Sequence, residues 1–447
     1  MRRGPVLVAG GGAAGIGAAL RLARSGEKVI LLEARSRLGG RAFSFPCPSL
    51  GGVEVDNGPH VLVGAYGEFR ALLRELGREG DFLHAPSLDL SFLGPQGRIH
   101  RIAAPPYLPA PLHLAAALLG YRALTPVERF RTALAVGRLL RDRRRGRPLE
   151  GTVADWLRRA RLQGGPARFL LGPLCRAVLN TREEEASLAL FAAALAETFL
   201  GAPARAALWI PRLPWSRILG RPALAKLRSL GVEVRLGCRL QGMEIQGGRF
   251  RRALTSRGPL EGRALLLCLP PWEARRVLPS QAGPFPWAGL EGSSLETLYL
   301  LPREGRFPGG PPVVGFSSPR PFDFLVRRED GLWAFLATPA PSRSAREKPE
   351  ETARKALASL GIPPSDQGEI RAVRVFWKEA VLHQPAGVEA LRPGPKTALP
   401  GVFLGGDWID TGLPATLESG ARSARAAVRA FLEDSGEERK LPEESER

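Results

Sequence analysis

The first 41 residues contain a complete strand–helix–strand unit, and this unit constrains the fold more than any other feature of the chain. Residues 6–41 read VLVAGGGAAGIGAALRLARSGEKVILLEARSRLGGR. The apolar runs Val6–Ala9 and Lys28–Leu32 predict two strands, and the spacing of apolar residues over Ala13–Ser25 predicts a helix between them. Because a helical crossover of this kind joins parallel strands, the unit predicts an α/β fold with a parallel sheet.

The turn between the first strand and the helix carries glycines at G-x-G-x-x-G spacing. Gly10 allows the tight turn, Gly12 lets a pyrophosphate approach the backbone, and Gly15 lets the helix pack closely on the strand. The start of the helix, at Ala13 and Ala14, offers free N–H groups and a partial positive charge to that pyrophosphate. The turn therefore predicts a Rossmann-like domain that binds a dinucleotide.

The residues after the second strand narrow the choice of dinucleotide. Glu33 is placed to accept hydrogen bonds from a ribose, and we expect the adjacent Ala34 and Arg35 to contact the same ligand. The following Gly39-Gly40-Arg41 resembles a motif of the amine oxidase and phytoene desaturase superfamily of flavoproteins. In that superfamily the motif packs against the FAD diphosphate, so the resemblance implies FAD as the cofactor, bound by these three residues.

A segment near the C-terminus, residues 405–427, resembles the terminal flavin motif of the same superfamily. It reads GGDWIDTGLPATLESGARSARAA and follows the predicted strand Val402–Leu404. The resemblance places Gly406 and Asp407 near the ribityl–phosphate part of FAD. We expect a helix from Pro414 to Leu432, with Thr416 and Leu417 at its start facing the flavin, where the helix dipole stabilises negative charge. Because no cysteine lies near this segment in the sequence, we expect noncovalent FAD.

The run Val55–Tyr66, VDNGPHVLVGAY, points to one branch of the superfamily. It resembles the hydroxysqualene dehydroxylases, so that the resemblance covers nearly the whole chain together with the stretches Leu179–Thr181, Glu184–Ser187, Trp209–Arg212, Leu391–Pro395, Asp407-Trp408, Asp410–Gly412 and Pro414–Thr416. One departure is Pro59, where the branch commonly has Gln. The implied reaction is the reductive removal of the hydroxyl of hydroxysqualene by reduced FAD, which yields squalene and belongs to hopanoid and squalene biosynthesis.

Three side chains near the flavin are candidates for the acid that protonates the leaving hydroxyl, namely His60, Asp56 and Asp410. Each has a structural alternative. Asp56 opens an Asp-Asn-Gly turn, His60 could pack on the flavin together with Gly58 and Pro59, and Asp410 could cap the final helix.

The resemblance and the spacing of elements divide the chain into four parts. A discontinuous FAD-binding domain comprises 1–75, 205–285 and 396–434, and by resemblance Leu240 supplies a backbone contact to the adenine. A mixed-sheet substrate domain comprises 83–103 and 290–390. A helical insert comprises 104–204, with helices expected at Leu112–Tyr121, Pro126–Arg141, Val153–Arg159, Ala167–Leu179 and Glu184–Phe199. The charged tail 435–447 is expected to be disordered.

The formal net charge of +20 comes almost entirely from arginine. It reflects either a general compositional preference or a partner with negative charge. Within the insert, the apolar stretch Pro105–Tyr121 is too short to span a bilayer and is followed by an Arg-rich helix. This pattern indicates a membrane-facing insert at an anionic surface, although both helices could instead roof the substrate cavity. A partner nucleic acid is not expected, because no basic motif is interleaved with aromatic residues.

Cysteine, histidine and nucleotide motifs set further limits. The four cysteines and five histidines are widely scattered, which favours a reducing cytoplasm and gives no metal site. We therefore expect a cytoplasmic protein, peripheral on the inner face of the cell membrane. A second dinucleotide motif is absent from the sequence, so electrons must come from an external donor.

Three alternatives to the dehydroxylase remain open. The nearest is a carotenoid desaturase, which takes a similar long isoprenoid substrate but uses oxidised FAD. An amine oxidase is less favoured, because the chain has no Lys between Lys226 and Lys348 to face the flavin. A non-catalytic prenyl-binding protein is least favoured, because both flavin motifs are intact.

Overall fold

A computed structural model describes residues 4–94, 97–302, 309–317, 322–338, 348–364 and 367–436 of the protein. Apart from Ser435 and Gly436, the tail expected to be disordered lies outside these residues. The strands in the described residues are β1 (Val6–Ala9), β2 (Val29–Glu33), β3 (Ser44–Cys47), β4 (Val53–Asp56), β5 (Leu62–Val63), β6 (Phe82–His84), β7 (Asp89–Leu93), β8 (Ile99–Ala103), β9 (Leu208–Pro211), β10 (Glu233–Leu236), β11 (Leu240–Gln246), β12 (Arg249–Thr255), β13 (Gly258–Glu261), β14 (Ala264–Leu267), β15 (Gly292–Pro302), β16 (Val313–Phe316), β17 (Phe324–Arg327), β18 (Trp333–Ala337), β19 (Ile370–Leu382) and β20 (Val402–Leu404). The α-helices are α1 (Ala13–Arg24), α2 (Gly67–Glu75), α3 (Leu112–Gly120), α4 (Pro126–Arg144), α5 (Val153–Arg159), α6 (Gly172–Leu179), α7 (Leu188–Phe199), α8 (Arg221–Ser229), α9 (Pro271–Val277), α10 (Pro349–Ser359) and α11 (Leu417–Asp434).

A parallel sheet with the strand order β10-β2-β1-β14-β20 lies at the centre of the cofactor region. Its strands come from three distant parts of the sequence, within 1–75, 205–285 and 396–434. Alternate residues of β1 face opposite cores: Val6 and Val8 pack with α1, α8 and α11, whereas Leu7 and Ala9 belong to a second core that includes residues of β11, β12, α9 and the helical insert. Both faces of the sheet are therefore buried, as parallel sheets require. The predicted α/β fold is confirmed.

A second, mixed sheet of seven strands has the order β19-β15-β18-β17-β16-β7-β8. Strands β7 and β8 join it from residues 83–103, and the other five come from residues 290–390. One face packs on α10 and the other on the hairpin β3–β4. This second sheet brings its long strand β19 close to the Gly39-Gly40-Arg41 turn, because Arg41 donates a hydrogen bond to the Ala380 carbonyl near the end of β19 (3.3 Å).

The helical insert contains α3 to α7, and the helix expected over Ala167–Leu179 is a π-helical turn, Ala167–Leu171, that continues into α6. Two other helix starts expected from the sequence are wrong. Helix α7 begins at Leu188 rather than Glu184, because the Ser187 side chain caps it by accepting from the Leu190 N–H (3.2 Å). Helix α11 likewise begins after Thr416 rather than at Pro414. No helix of the described residues is long and apolar enough to cross a bilayer.

Candidate functional site

The Gly-rich turn after β1 has a conformation that only glycine fits. Gly10 has a φ of +108°, and a Cβ there would lie 2.3 Å from the Cys268 carbonyl oxygen. A Cβ on Gly15 would lie 1.7 Å from the Gly10 carbonyl oxygen. Because both contacts are too short for a side chain, the first turn of α1 can lie against β1 and β14 only with these glycines. Helix α1 then begins at Ala13, and its N-cap residue Gly12 has no side chain to cap it, which leaves the N–H groups of the first turn open to a ligand.

The Gly39-Gly40 turn is packed directly on this loop. The Gly39 N–H donates to the Gly11 carbonyl (2.8 Å), and a Cβ on Gly40 would lie 2.8 Å from the Gly12 Cα. Both Gly39 and Gly40 have positive φ values, +111° and +58°. The two glycine motifs therefore form one continuous backbone surface at the start of α1, where a diphosphate can approach without side chains in the way.

Glu33 lies at the end of β2 beside this surface. Its carboxylate accepts from the N–H groups of Gly11 (2.7 Å) and Arg35 (2.8 Å). The segment leading into β11 lies alongside, because the Cys238 N–H donates to the Glu33 carbonyl (2.9 Å). Leu240, the predicted adenine contact, is buried at the start of β11. The structure thus brings the residues predicted for ribose and adenine to the same edge of the sheet, with Ala34 and Arg35 exposed beside them.

Arg41 and Asp407 form an ion pair that joins the two flavin motifs across 366 residues of sequence (2.6 Å). The Asp407 side chain is largely buried and that of Arg41 is about one-third exposed. Gly406, with a φ of +131°, donates its N–H to the Ser423 hydroxyl of α11 (2.8 Å). The Gly39-Gly40-Arg41 motif and the C-terminal motif are therefore adjacent in space.

The first turns of α1 and α11 pack against each other. A Cβ on Gly420 would lie 3.9 Å from the Ala13 Cβ, so the two helix starts are in direct contact. Thr416 caps α11 by accepting from the Ser419 N–H (3.2 Å), and Leu417 is the first helical residue. Two helix N-termini with their partial positive charges thus lie side by side, which favours an anionic ligand between the motifs.

His60 is half-buried next to Arg41 and packs edge-on against the Trp215 ring, with the ring centroids 5.6 Å apart. Burial lowers the pKa of His60 to about 4, which a hydrogen bond to the Arg41 backbone opposes. The ring is therefore neutral at pH 7. A neutral imidazole carries one N–H donor and one acceptor nitrogen. A neutral ring with an acceptor nitrogen does not donate a proton.

Asp56 is fully enclosed and holds together four segments of the chain. Its carboxylate accepts from the Ser44 hydroxyl (2.5 Å) and the Trp215 N–H (3.1 Å), and it lies 3.9 Å from the Arg328 guanidinium. Its backbone carbonyl accepts from the Tyr299 hydroxyl (2.7 Å). Burial raises the pKa of Asp56, and the Ser44, Arg328 and Trp215 contacts oppose that shift. These contacts give Asp56 a structural role.

Asp410 is exposed, and its carboxylate accepts from the Gly412 N–H two residues on (3.0 Å). This contact forms an Asx turn rather than the cap of α11, which Thr416 supplies. Of the three acid candidates, only His60 therefore combines partial exposure with a position beside the Arg41 motif.

Two buried polar atoms next to these motifs lack a partner among the described residues, and they test whether FAD fits. Asn57 donates its amide to the Arg41 carbonyl (3.1 Å), but its Oδ1 accepts nothing. The Trp215 indole N–H also has no acceptor. Buried polar groups are normally satisfied, so both atoms are available to a polar ligand. Together with the open helix starts and Glu33, the residues present fit a dinucleotide.

Residues 13–296 and 317–432 match the family of flavin-containing amine oxidoreductases. The chain belongs to this family. A flavin held by a dinucleotide-binding turn is FAD, so the protein is an FAD-dependent oxidoreductase. The expected placement in the amine oxidase and phytoene desaturase superfamily is confirmed.

Similar proteins cover nearly the whole of this flavoprotein. It is 28% identical to a hydroxysqualene dehydroxylase of Rhodopseudomonas palustris, over 96% of this chain and 98% of the relative. It is 26% identical to a hydroxysqualene dehydroxylase of Zymomonas mobilis, over 96% and 99%. It is 25% identical to a 15-cis-phytoene desaturase of Glycine max, over 96% and 80%. An oxidoreductase structure from Methanosarcina mazei shares the fold with a TM-score of 0.72 at 15% identity, over 96% of this chain and 100% of that one.

Arg392 is a site residue of this flavoprotein that sequence reasoning missed. Its guanidinium is buried and donates to the Asp407 (2.6 Å) and Ile409 (2.7 Å) carbonyls. It also donates to the Trp408 and Leu413 carbonyls and to the Ser419 hydroxyl. One side chain thus fixes the whole loop between β20 and α11. Arg392 lies in the stretch Leu391–Pro395, which resembles the hydroxysqualene dehydroxylases. That resemblance was the one signal in the sequence that could have pointed to this arginine.

A cysteine lies close to the C-terminal motif in space, although none lies close in sequence. A Cβ on Gly405 would lie 2.8 Å from the Cys268 Sγ, because β14 and β20 are parallel neighbours and both residues follow their strand ends. Burial raises the pKa of the Cys268 thiol to about 12, so it remains protonated. Noncovalent FAD therefore stays a prediction. It rests on the burial of the Cys268 thiol and not on the distance of this cysteine from the C-terminal motif.

Proposed function

We propose that this FAD-dependent oxidoreductase removes the hydroxyl group of hydroxysqualene and releases squalene. The observation that carries the proposal is the end-to-end similarity to three hydroxysqualene dehydroxylases, at 25–28% identity over 96% of this chain and 98–99% of each relative. The plant phytoene desaturases that match 96% of this chain are covered over only 78–80% of their length. The long isoprenoid substrate class is common to both sets of relatives.

The overall reaction converts an allylic alcohol R–OH, two electrons and two protons into R–H and water. The FAD that these residues would hold would, when reduced, supply a hydride, which carries both electrons and one hydrogen to the carbon that loses its hydroxyl. The second proton joins the hydroxyl to form the leaving water, and we assign it to solvent, because His60 is neutral at pH 7 and the Asp56 carboxylate is occupied by Ser44 and Trp215. An external donor must then restore the reduced flavin.

The residues of the chain hold and orient the two reactants. The glycine motifs and the start of α1 bind the diphosphate, and the start of α11 faces the flavin. Glu33 accepts from the ribose, and Arg392 fixes the loop that carries Asp407. We assign His60 to the substrate: its acceptor nitrogen can receive a hydrogen bond from the substrate hydroxyl and so fix the position of the C–O bond.

A carotenoid-type desaturase is the second candidate, and the state of His60 favours it. Desaturation passes a hydride from a CH–CH unit to oxidised FAD and a proton to a base, which leaves a C=C bond. A neutral imidazole with an acceptor nitrogen suits that base. The amine oxidase and the non-catalytic prenyl-binding alternatives have no comparable observation in their favour.

Product analysis under argon separates the two candidates. The purified holoprotein is supplied with hydroxysqualene or phytoene, with its flavin reduced or oxidised, in detergent micelles. We expect squalene only from the reduced protein with hydroxysqualene. A new C=C bond from the oxidised protein with phytoene would establish the desaturase instead, and the absence of product from all four mixtures would reject both.

A further inference from the structure

We propose that the helical hairpin α3–α4 docks on an anionic lipid bilayer. Its outer surface, here called the hairpin surface, is formed by Tyr107, Leu112, Leu119, Val127, Phe130 and Leu134. The proposal goes beyond the reaction assigned above and does not depend on the identity of the substrate.

The hairpin surface gathers most of the large apolar side chains that the described residues expose. Six of the ten lie between 107 and 134, including Tyr107 at 82%, Leu119 at 69% and Phe130 at 70% exposure. Single exposed apolar side chains are common, but a contiguous group marks an interaction site.

The exposure is periodic, so each helix presents one whole face. Leu112 and Leu119 on α3, and Val127, Phe130 and Leu134 on α4, follow an i, i+3, i+7 spacing on the outside. The opposite faces are already used, because α3 and α4 pack their inner residues into the central core. Both helices are therefore apolar on two sides, and only the inner side is covered by the protein itself.

Internal contacts brace the hairpin, so the exposure is not a result of loose packing. Arg129 donates to the Leu119 (2.5 Å) and Leu124 (2.9 Å) carbonyls, which ties the end of α3 to the start of α4. A capping box between Thr125 and Glu128 starts α4. The buried Tyr121 donates its hydroxyl to the Phe169 carbonyl (2.7 Å). The apolar stripe is thus presented on a fixed frame.

The charge around the hairpin surface identifies lipid as the occupant. Residues 105–147 contain nine arginines and two acidic residues, and no charged residue lies between Arg101 and Arg122. Arg138 and Arg141 continue the outer face of α4 beyond Leu134, at i+4 and i+7, and neither pairs with an acid in the described part of the chain. An apolar region followed by a basic one matches acyl chains beside anionic headgroups. A second copy of the chain would bring arginine against arginine.

The basic end of the hairpin also reaches the flavin loop. Arg143 donates to the Gly412 carbonyl in the Asx turn of Asp410 (3.3 Å). A cavity of about 400 Å³ lies there between α4 and α7, lined by Leu140, Ala196, Leu200, Arg143 and Arg144. Docking would therefore place the loop that carries the C-terminal flavin motif next to the bilayer.

Vesicle sedimentation of the holoprotein without substrate tests the proposal. Phosphatidylcholine vesicles are compared with vesicles that are half phosphatidylglycerol, in 0.1 M salt. We expect binding to the anionic vesicles at least roughly tenfold tighter than to the neutral ones, because each arginine near the surface contributes about fivefold.

Leu119→Ser/Phe130→Ser should weaken binding by at least roughly tenfold, and Val127→Ser/Leu134→Ser is the independent second variant. Phe376→Ser, at an exposed apolar residue of β19, is the matched control and should bind normally.

Arg138→Gln/Arg141→Gln should remove most of the preference for anionic vesicles, whereas Arg228→Gln/Arg275→Gln, at exposed arginines of α8 and α9, should not. An unchanged flavin spectrum shows that each variant is folded. Wild-type protein that stays in the supernatant, or an equal loss of binding for Phe376→Ser, would overturn the proposal. A dimer that Leu119→Ser/Phe130→Ser converts to a monomer would also overturn it, because the surface would then be covered by a second copy. The assay contains no isoprenoid, so its outcome is separate from that of the proposed reaction.

Discussion

In the flavin-binding core, Arg392 is buried and donates to four backbone carbonyls, whereas in the α3–α4 hairpin Arg138 and Arg141 extend into solvent. The apolar side chains show the reverse: those of the core are enclosed, and those of the hairpin surface are exposed. The net charge of +20 therefore combines arginines that hold a loop with arginines that face outward. Composition alone cannot separate the two groups, and the comparison predicts that equivalent substitutions have different effects in the two regions.

The largest difference between the two regions is expected for substitutions of glycine by alanine. Gly15→Ala would place a Cβ 1.7 Å from the Gly10 carbonyl oxygen, so we expect loss of bound flavin, measured by the absorbance of the purified protein. Gly137→Ala is the control, because a Cβ on this exposed glycine of α4 meets no atom within 4 Å. It should keep full flavin content and gain up to about 1 kcal/mol of stability. Full flavin content in Gly15→Ala would contradict the structure of the turn.

Substitutions of arginine by glutamine should show the next largest difference between the two regions. Arg392→Gln leaves several buried carbonyls without a donor, so we expect a loss of about 3 kcal/mol or more in the free energy of unfolding and weaker FAD retention. Arg138→Gln on the hairpin should change the free energy of unfolding by no more than about 0.5 kcal/mol. Equal effects in urea denaturation would show that the Arg392 hydrogen bonds do not stabilise the loop.

The pH dependence of stability should report on His60. Its pKa is about 4 in the folded protein and about 6.5 in the unfolded chain, so the unfolded chain binds the proton first as the pH falls. The stability of the flavin-free protein is then full above pH 6.5 and decreases toward pH 4, by about 2 kcal/mol between pH 7.5 and pH 5. Urea denaturation at the two pH values should show a smaller difference for His60→Gln, and an equal difference would show that His60 is not enclosed.

The smallest difference in effect is expected for substitutions that weaken a single ion pair. Asp407→Asn weakens the contact with Arg41 that joins the two flavin motifs, and we expect a loss of about 1 kcal/mol together with faster FAD dissociation. Asp89→Asn weakens the more exposed pair with Arg101 and should cost at most about 0.5 kcal/mol without an effect on FAD. Identical FAD dissociation from both variants would argue against a cofactor role for the Arg41 pair.

The sequence predicted several elements well because their signals are local. Strands Val6–Ala9 and Val402–Leu404 and helix Val153–Arg159 have the expected bounds, since each apolar run is limited by glycines or by a capping residue. The start of α11 was placed too early because Pro414 is a common first residue of a helix, but Thr416 provides the cap. Competing local signals of this kind are resolved only by the surrounding structure.

Contacts between distant residues were the part that could not be predicted. The acceptors of Arg392 lie 15 to 27 residues away, in a loop whose path the sequence does not specify. Cys268 and Gly405 meet because their strands are neighbours, which strand order would have shown. The sequence indicated an apolar stretch, Pro105–Tyr121, followed by an Arg-rich helix, but not which side chains of α3 and α4 lie on the outside, because apolar spacing does not tell which face the protein covers.

The most direct test of the central claim is isotopic. The protein is reduced under argon in D2O, so that the hydrogen carried by the reduced flavin exchanges for deuterium, and hydroxysqualene is then added. If the flavin held by these motifs reduces the substrate, mass spectrometry will find squalene with one deuterium, and squalene given to the same protein will take up none. Squalene without deuterium, or no squalene at all, would contradict the account.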